Sequence, residues 1–170
     1  MPDGKRTQYR LALPAPAPPR RTGACVGLKL RRPAPRDVPL LGELLLDAYR
    51  GTIDDEGETL EGARAEMQGY FDGKYGRALP EASAVAWRGP VPVSLSLVSW
   101  FAPTDCPFIS YVATRSDSKG AGVGRLVLCE SLRRLGRDGY GQVRAFITKG
   151  NAPSEALFNG RGFAPVANSP

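Results

Sequence analysis

Hydrophobic positions along the chain follow two different spacings, which predicts a mixture of strands and helices. Residues 91–97 are apolar at every second position, as in a strand with one buried face, whereas the apolar residues of 41–48 recur at helical spacing. The predicted strands cover 26–31, 84–87, 91–101, 108–114, 143–147 and 163–167, and the predicted helices cover 38–49, 59–71, a segment from the glycines at 120–124 to 137, and 152–160. This β-α-α-β-β-β-α-β-α-β order indicates an α/β domain with a mixed sheet.

The first 25 residues do not share this pattern. They contain five prolines and several basic residues, a composition typical of extended, solvated chain. We therefore expect residues 1–25 to be a disordered Pro/Arg-rich tail and residues 26–170 to form one domain. The tail is interpreted either as a dispensable extension, which we favour, or as a basic arm for nucleic acid or a membrane surface.

The net charge of +6 is unevenly distributed along the chain. Residues 1–36 carry a balance of +8, residues 37–105 a balance of −7, and residues 106–170 a balance of +5. The overall charge therefore conceals an acidic middle between two basic ends. This distribution does not favour nucleic acid as the main partner.

The absence of histidine excludes several classes of catalyst at once. A chain with no histidine has no Ser-His-Asp triad, no Cys-His pair, no His-containing zinc motif and no imidazole base. The three cysteines are far apart in sequence, so neither a metal site nor a disulfide framework is expected. No apolar run is long enough to cross a bilayer, and we expect a soluble cytoplasmic protein that does not act at a membrane.

Three alternating glycines indicate an anion-binding loop. Gly120, Gly122 and Gly124 follow a predicted strand and open a predicted helix. Without Cβ atoms, the backbone amides can approach an anion closely, and the helix N-terminus adds partial positive charge. The spacing fits neither a dinucleotide-binding fingerprint, which needs glycine or alanine where Arg125 stands, nor a P-loop. A plain glycine turn at the start of a helix stays an alternative.

A second element follows 27 residues after Gly124, in the stretch from Asn151 to Phe163. Together, the glycine loop and this stretch resemble the GNAT superfamily of N-acetyltransferases, whose members carry a Gln/Arg-x-x-Gly-x-Gly/Ala loop and a later Asn, Leu-Tyr and Gly-Phe element. The resemblance covers residues 108–163. It implies a mixed sheet flanked by about four helices, with a splayed central pair of strands that binds acetyl-CoA as co-substrate without a metal.

The resemblance also implies which residues contact the cofactor. The loop amides would hold the pyrophosphate, the strand before the loop would pair with the pantetheine arm, Asn151 would reach the pantetheine or hold the loop, and Phe158 would pack near the thioester sulfur. The implied cofactor residues are Val112, Ala113, Thr114, Lys119, Gly120, Ala121, Gly122, Val123, Gly124, Arg125, Asn151 and Phe158.

Two positions depart from the family pattern. Lys119 stands where the family prefers Gln or Arg, which keeps a positive charge but loses the planar fork of arginine. Phe158 replaces a tyrosine that often protonates the departing CoA thiolate in this family, and phenylalanine has no proton to give. A thiol titrates near about pH 8.5, so water can serve as the proton donor.

The acidic middle of the chain supplies candidates for the acceptor side. A lysine-like amine is neutral in only about one molecule in 10³ at pH 7, so a base or water must take its proton. With no histidine, the candidates to take this proton are carboxylates near the start of the second helix, namely Asp54, Asp55, Glu56, Glu58, Glu61 and Glu66, with Asp105 as a second candidate. We select Glu58 and Asp105 as the candidate bases, and the candidate acceptor-binding residues are Tyr49, Asp54, Asp55 and Trp100. The alternative is that these acids only complement the N-terminus of the second helix.

We interpret the chain as an N-acetyltransferase that transfers acetyl to an amine by direct attack in a ternary complex. The expected acceptor is a cationic small molecule. Two alternatives are a catalytically silent GNAT-like module that binds CoA or a partner, and an enzyme that acetylates a protein or peptide N-terminus. The sequence leaves the oligomeric state open, a homodimer included.

Overall fold

The computed structural model describes residues 5–17 and 23–166, which form a mixed α/β structure. The strands are β1 Arg6–Ala12, β2 Lys29–Arg31, β3 Ala84–Arg88, β4 Val91–Phe101, β5 Cys106–Thr114, β6 Gln142–Thr148 and β7 Ala164–Pro165. The helices are α1 Val38–Tyr49, α2 Leu60–Phe71, α3 Val123–Arg137 and α4 Ala152–Asn159. Within the described ranges, seven strands form one sheet in the order β2-β3-β4-β5-β6-β1-β7. The predicted mixed sheet with about four flanking helices is confirmed.

The N-terminal strand corrects the expectation of a disordered tail. Residues 6–12 form β1, which pairs antiparallel with β6 from Arg6 opposite Thr148 to Ala12 opposite Gln142. Tyr9 and Leu11 are buried. The physical reason is the alternation of these two residues with polar neighbours, a strand pattern that the surrounding prolines and arginines concealed. Residues 1–4 and 18–22 of the predicted tail lie outside the described residues.

Helices cover both faces of the sheet. On one face, α1 and α2 pack against β3, β4 and β5, with Leu41, Met67 and Leu95 almost completely buried between them. On the opposite face, α3 packs against β3, β4 and β5, and α4 shares a hydrophobic cluster with β6 and β1, with Leu128 and Phe158 in the core. We call these the α1/α2 face and the α3/α4 face. A ligand that passes through the sheet would therefore contact elements from both layers.

The central strands β5 and β6 separate from each other. These two strands are parallel, and they pair only where Phe108 lies opposite Arg144 and Ile109 lies opposite Ala145. Toward their carboxyl ends, they diverge and leave a cleft through the sheet. The splayed pair expected from the resemblance is therefore present.

A β-bulge lies where the cleft begins. The register between β4 and β5 shifts at this point, because Leu97 is opposite Tyr111 whereas the next residue, Val98, is opposite Ile109. Ser110 is the extra residue, so the side chains of Ile109 and Tyr111 lie on opposite faces of the sheet. Bulges of this kind reorient side chains near functional sites.

Candidate active site

The cleft between β5 and β6 has a volume of about 390 Å³. Such a volume lies within the range of small-molecule sites. Part of its wall is aromatic: the ring centroids of Phe108 and Phe146 are 6.2 Å apart, and Phe101 packs against both rings from outside the lining. The other walls come from β5, β6, the start of β1, α1, the segments that precede and form α2, and α4.

The glycine loop lies at the carboxyl end of β5. Gly122 is the N-cap of α3 and has a φ of +82°, a conformation that favours glycine. The first helical hydrogen bond runs from the N–H of Leu126 to the carbonyl of Gly122. The N–H groups of Val123, Gly124 and Arg125 precede that bond, so helix geometry leaves them without an intrahelical partner. This arrangement can bind an anion.

Gly124 allows the start of α3 to approach β5 closely. A Cβ atom at this position would lie 2.9 Å from Oγ1 of Thr114 and 4.0 Å from Cδ2 of Leu157 on α4. The first of these distances is too short for a real Cβ contact. A side chain at 124 would therefore force the loop away from the end of β5, and glycine is needed here for packing rather than for its φ.

Acidic side chains line the α1/α2 side of the cleft. The cavity wall contains the carboxylates of Asp54, Glu56, Glu58 and Glu66, together with the Tyr49 ring. Burial, followed by the nearby charge of Asp54, raises the pKa of Tyr49. Its hydroxyl therefore stays protonated at neutral pH. This wall suits a ligand with positive charge.

Asn151 connects the acidic wall to the α4 side of the cleft. Its Oδ1 accepts a hydrogen bond from the N–H of Ser154 (3.1 Å) and so caps α4, while its Nδ2 donates to Oδ2 of Asp54 (2.7 Å). The acidic segment is thus fixed to the start of α4 across the mouth of the cleft.

Solved structures share the fold of this chain. A GCN5-related N-acetyltransferase from Sphaerobacter thermophilus aligns with a TM-score of 0.69 and 20% identity over 95% of this chain and 48% of that one. A ribosomal-protein-alanine N-acetyltransferase from Brucella melitensis aligns with a TM-score of 0.61 and 24% identity over 80% of this chain and 84% of that one. The chain has the GNAT fold. It spans about half of the Sphaerobacter chain.

A third solved structure was determined with ligands. The diaminobutyrate acetyltransferase from Paenibacillus lautus, in complex with L-2,4-diaminobutyric acid and coenzyme A, aligns with a TM-score of 0.58 and 20% identity over 78% of this chain and 73% of that one. At these identities, the likeness establishes the fold. No protein-family model matches the sequence, and no curated protein matches it either.

The three predicted cofactor residues at the end of β5 differ in what they present to the cleft. Val112 lines the cleft. Ala113 is buried in the core, and the Thr114 hydroxyl is bonded to that of Ser94 (2.8 Å), so these two offer the cleft only their main chain. The described pairing of β5 with β6 stops at Ile109. The main chain beyond that point is therefore available on the cleft side.

Lys119 differs from its expected role. Its ammonium donates to the carbonyl of Ala48 (2.6 Å) near the end of α1, which anchors the glycine loop to α1. The side chain is therefore not directed toward the loop amides. The sequence could not reveal this contact, because its partner lies 71 residues earlier in the chain.

Phe158 lies at the predicted position but is integrated into the core. It lines the cleft, yet it is only 6% exposed and packs edge-on against Phe163 with a centroid distance of 4.9 Å. A phenylalanine in this environment contributes shape and apolar surface. It offers no hydroxyl to a leaving group.

Three predicted acceptor-side residues lie elsewhere. Asp105 sits in an exposed turn between β4 and β5 with a φ of +47°, away from the cleft. Trp100 follows Val98 on the α3/α4 face and packs near Tyr140, 6.0 Å between centroids, so strand alternation turns it away from the acidic wall. The carboxylate of Asp55 accepts hydrogen bonds from the backbone of its own loop. Of the acceptor-side predictions, the structure brings Tyr49, Asp54 and Glu58 to the cleft.

Asp55 serves the loop between α1 and α2. Its carboxylate accepts hydrogen bonds from the N–H groups of Gly51 (2.6 Å) and Gly57 (3.0 Å). These backbone bonds lower the pKa of Asp55. An aspartate between two glycines commonly forms such a turn, which explains why an acid in a predicted binding run is used for backbone support.

Glu66, one of the acidic residues that the sequence offers as candidates near the second helix, lines the cleft. Its carboxylate accepts hydrogen bonds from the hydroxyls of Tyr111 (2.8 Å) and Tyr75 and from the ammonium of Lys74. Burial acts to raise the pKa of Glu66, but these three donors outweigh it and hold the pKa below its ordinary value. Glu66 is thus a stable anion already paired with Lys74. The sequence does not indicate its hydrogen bond with Tyr111, because the two residues are 45 positions apart in the chain.

The structure also places one cation on the cleft wall. Arg6, at the start of β1, lines the cavity together with Thr148 opposite it. The residue fell within the predicted disordered tail, so sequence reasoning missed it. Within the described residues, no group of three or more Cys, Asp or Glu side chains is arranged to bind a metal ion. No helix of that same part of the chain is long and apolar enough to cross a bilayer.

Proposed function

We propose that this protein is an acetyl-CoA-dependent N-acetyltransferase that acetylates a cationic amine by direct attack in a ternary complex. The observation that carries the proposal is the cleft itself. It opens between parallel strands, with a helix-capping glycine loop at the end of β5 and a wall of four carboxylates on the α1/α2 side. An anionic cofactor and a cationic acceptor would therefore meet from opposite sides.

The cofactor would be held by main-chain groups. The N–H groups of Val123, Gly124 and Arg125 are suited to the pyrophosphate, and the unpaired edge of β5 near Val112 is suited to the amides of the pantetheine arm. The close approach of Gly124 to Thr114 keeps the loop aligned with that edge. Acetyl-CoA supplies a thioester whose carbonyl carbon accepts the amine. An N–H group of β5 would stabilise the negative charge that develops on the carbonyl oxygen.

The acceptor must lose a proton before it attacks. Glu58 is the base that we propose, since its carboxylate lines the cavity and its Oε2 accepts only the N–H of Glu56 (3.1 Å) among the described residues. Glu66 is a weaker base because its pKa is lowered. In the transfer, a bond forms between the amine nitrogen and the acetyl carbon, the carbon–sulfur bond breaks, and the thiolate leaves with its electron pair.

Proton balance is completed without a tyrosine. The ammonium proton passes to Glu58 before the attack, and the second proton, which the nitrogen loses once its bond to the acetyl carbon has formed, passes to water. The thiolate takes a proton from water in turn, since Phe158 has none to give. Because a thiol titrates near about pH 8.5, the loss in rate from this substitution is modest. Phe158 also keeps a second candidate function open, a GNAT-like module that binds CoA without turnover.

The test is acetyl-CoA binding by two variants at the glycine loop that are matched in size and differ in charge. Gly122→Gln and Gly122→Glu introduce side chains of nearly equal size and share the strain of a φ of +82°. A carboxylate beside a bound phosphate is repelled, so we expect Gly122→Glu to bind acetyl-CoA at least about tenfold more weakly than Gly122→Gln in calorimetry. The same carboxylate favours the helix N-terminus, so Gly122→Glu should be no less stable than Gly122→Gln.

Catalysis is then tested by thiol release from acetyl-CoA with small amines, amino acids and peptides. Release with a small cationic amine supports the proposal, and release only with peptides favours a peptide N-acetyltransferase. Tight CoA binding with no release from any acceptor favours the silent module. Equal affinity of the two Gly122 variants for acetyl-CoA would refute the proposed cofactor site.

A further inference from the structure

Arg6 lies on the acceptor side of the cleft. In an antiparallel ladder, residues directly opposite each other project to the same face of the sheet. Arg6 is opposite Thr148, which shares its face with Phe146, and both of these line the cleft. The alternating residues of β6, such as Ala145, are buried on the α3/α4 face. Arg6 is thus on the face opposite to α3, whose glycine loop is the proposed phosphate site.

The guanidinium of Arg6 is not used inside the protein. Among the described residues, neither the guanidinium of Arg6 nor the hydroxyl of Tyr49 takes part in an ion pair or a side-chain hydrogen bond. Arg6 nevertheless lies close enough to Tyr49 for its charge to lower the pKa of that residue, against the larger effect of burial. Arg6 and Tyr49 therefore line the same cavity, and neither the guanidinium nor the phenolic hydroxyl has a hydrogen-bond partner among the described residues.

The carboxylates of the cavity are not equivalent to one another. Glu66 is neutralised by its ion pair with Lys74. Asp54, Glu56 and Glu58 form no ion pair with any cation of the described residues, so they give the cavity an excess of negative charge. Arg6 is the only Lys or Arg among the described lining residues. The acceptor side of the cavity therefore presents both carboxylates and one guanidinium to a ligand.

We propose that the acceptor carries a carboxylate as well as an amine, and that Arg6 binds this carboxylate while the acids near Glu58 bind the ammonium groups. This inference rests on the proposed function. An arginine fork binds a planar carboxylate through two parallel hydrogen bonds, whereas a purely cationic amine would be repelled by it. The substrate class is therefore an amino acid, with a basic amino acid best matched to the three unpaired acids.

The experiment compares each amino acid with its own carboxamide. L-lysine and L-ornithine keep their amines and nearly their size when the carboxylate is replaced by an amide. The negative charge is lost and the α-amine becomes less basic, so rates are compared for acetylation of the side-chain amine, which is little affected. We expect the wild-type protein to acetylate the amino acids with a kcat/KM about 10- to 100-fold above that of the amides. Arg6→Gln should abolish this preference: the amino-acid values should fall, and the amide values should not fall, because the charge that repels a cationic amide is removed.

Two further variants separate recognition from structure. Arg6→Lys keeps the charge and should retain part of the preference. Arg10→Gln alters the same strand and the same face outside the cavity, so it should retain the full preference. Affinity for acetyl-CoA should not change in Arg6→Gln, because the proposed phosphate site is on the other face.

The outcomes distinguish this inference from the proposed function. Equal turnover of acids and amides by the wild-type protein would overturn the role of Arg6 while leaving acetyl transfer intact. An equal loss for both substrates in Arg6→Gln, or weaker binding of acetyl-CoA, would also overturn it, since Arg6 would then be structural or a cofactor contact. If no amine of any kind releases CoA, the proposed function fails and this inference fails with it.

Discussion

The buried side of β1 allows a sharp test of whether the N-terminal segment belongs to the domain. Leu11 is 6% exposed, lies opposite Val143 in the core, and its Cδ1 would be 3.3 Å from a Cβ placed on Gly162. Leu11→Ala removes three carbons from this contact while leaving the backbone ladder in place. The change therefore isolates side-chain packing from strand pairing.

The expected loss of stability is large. Leucine-to-alanine changes in well-packed cores cost about 2–5 kcal/mol, depending on how far the cavity collapses. Gly162 has a φ of +88° in a tight turn, which limits collapse from that side. We therefore expect a decrease of about 3 kcal/mol in the free energy of unfolding. For a chain of this length, that corresponds to a fall in Tm of roughly 6–12 °C.

Urea denaturation followed by circular dichroism provides the measurement. With an m-value of about 2 kcal/mol/M, the midpoint should fall by about 1.5 M at unchanged m. Arg10→Ala on the exposed side of the same strand is the control, and it should change stability by no more than about 0.5 kcal/mol. A decrease below about 1 kcal/mol for Leu11→Ala would mean that the N-terminal segment is not part of the folded core.

Two further predictions concern the walls of the cleft. The folded-state pKa of Glu66 lies below its ordinary value of 4.5. The stability that the wild-type protein gains over Glu66→Gln should therefore be fully present above about pH 4.5 and should decline as the pH falls further, which thermal unfolding across pH would measure. A stability difference that stayed unchanged at about pH 3 would contradict this prediction. Asn151→Ala removes the α4 cap, so its free energy of unfolding in urea should be about 1–2 kcal/mol lower than that of the wild-type protein. Asn151→Asp keeps the cap but places a second carboxylate beside Asp54, so it should raise the KM for the acceptor at near-normal stability.

Much of the fold was predictable because its elements carry local signals. The helix at 38–49 has the predicted limits, and α2 begins directly after Thr59, whose hydroxyl accepts the N–H of Gly62 as an N-cap. The failure was β1. Composition over a 25-residue window outweighed a two-residue alternation at Tyr9 and Leu11, and only pairing with β6, more than 130 residues away, makes this segment a strand.

In the candidate site too, features that depend on neighbouring residues were predictable, and features that depend on residues distant in sequence were not. The glycine loop is a contiguous signal, and it lies at the predicted helix start. The acidic run indicated the right wall but not the individual roles, because Asp55 is used by Gly51 and Gly57. The bulge at Ser110 is equally invisible in the sequence. It directs Tyr111 toward Glu66 rather than to the face of Ile109, and no local pattern encodes that choice.

The position of β1 explains both why the strand was predicted to be a disordered tail and why Arg6 was missed as a cleft residue. Because β1 pairs along the whole of β6, it completes the sheet beside the strand that forms one wall of the cleft, and it brings Arg6 to the end of that wall. The same seven residues thus contribute core packing through Leu11 and a cation through Arg6. A segment that looked dispensable therefore has two separable roles, and Leu11→Ala and Arg6→Gln should affect stability and acceptor preference, respectively, each without the other.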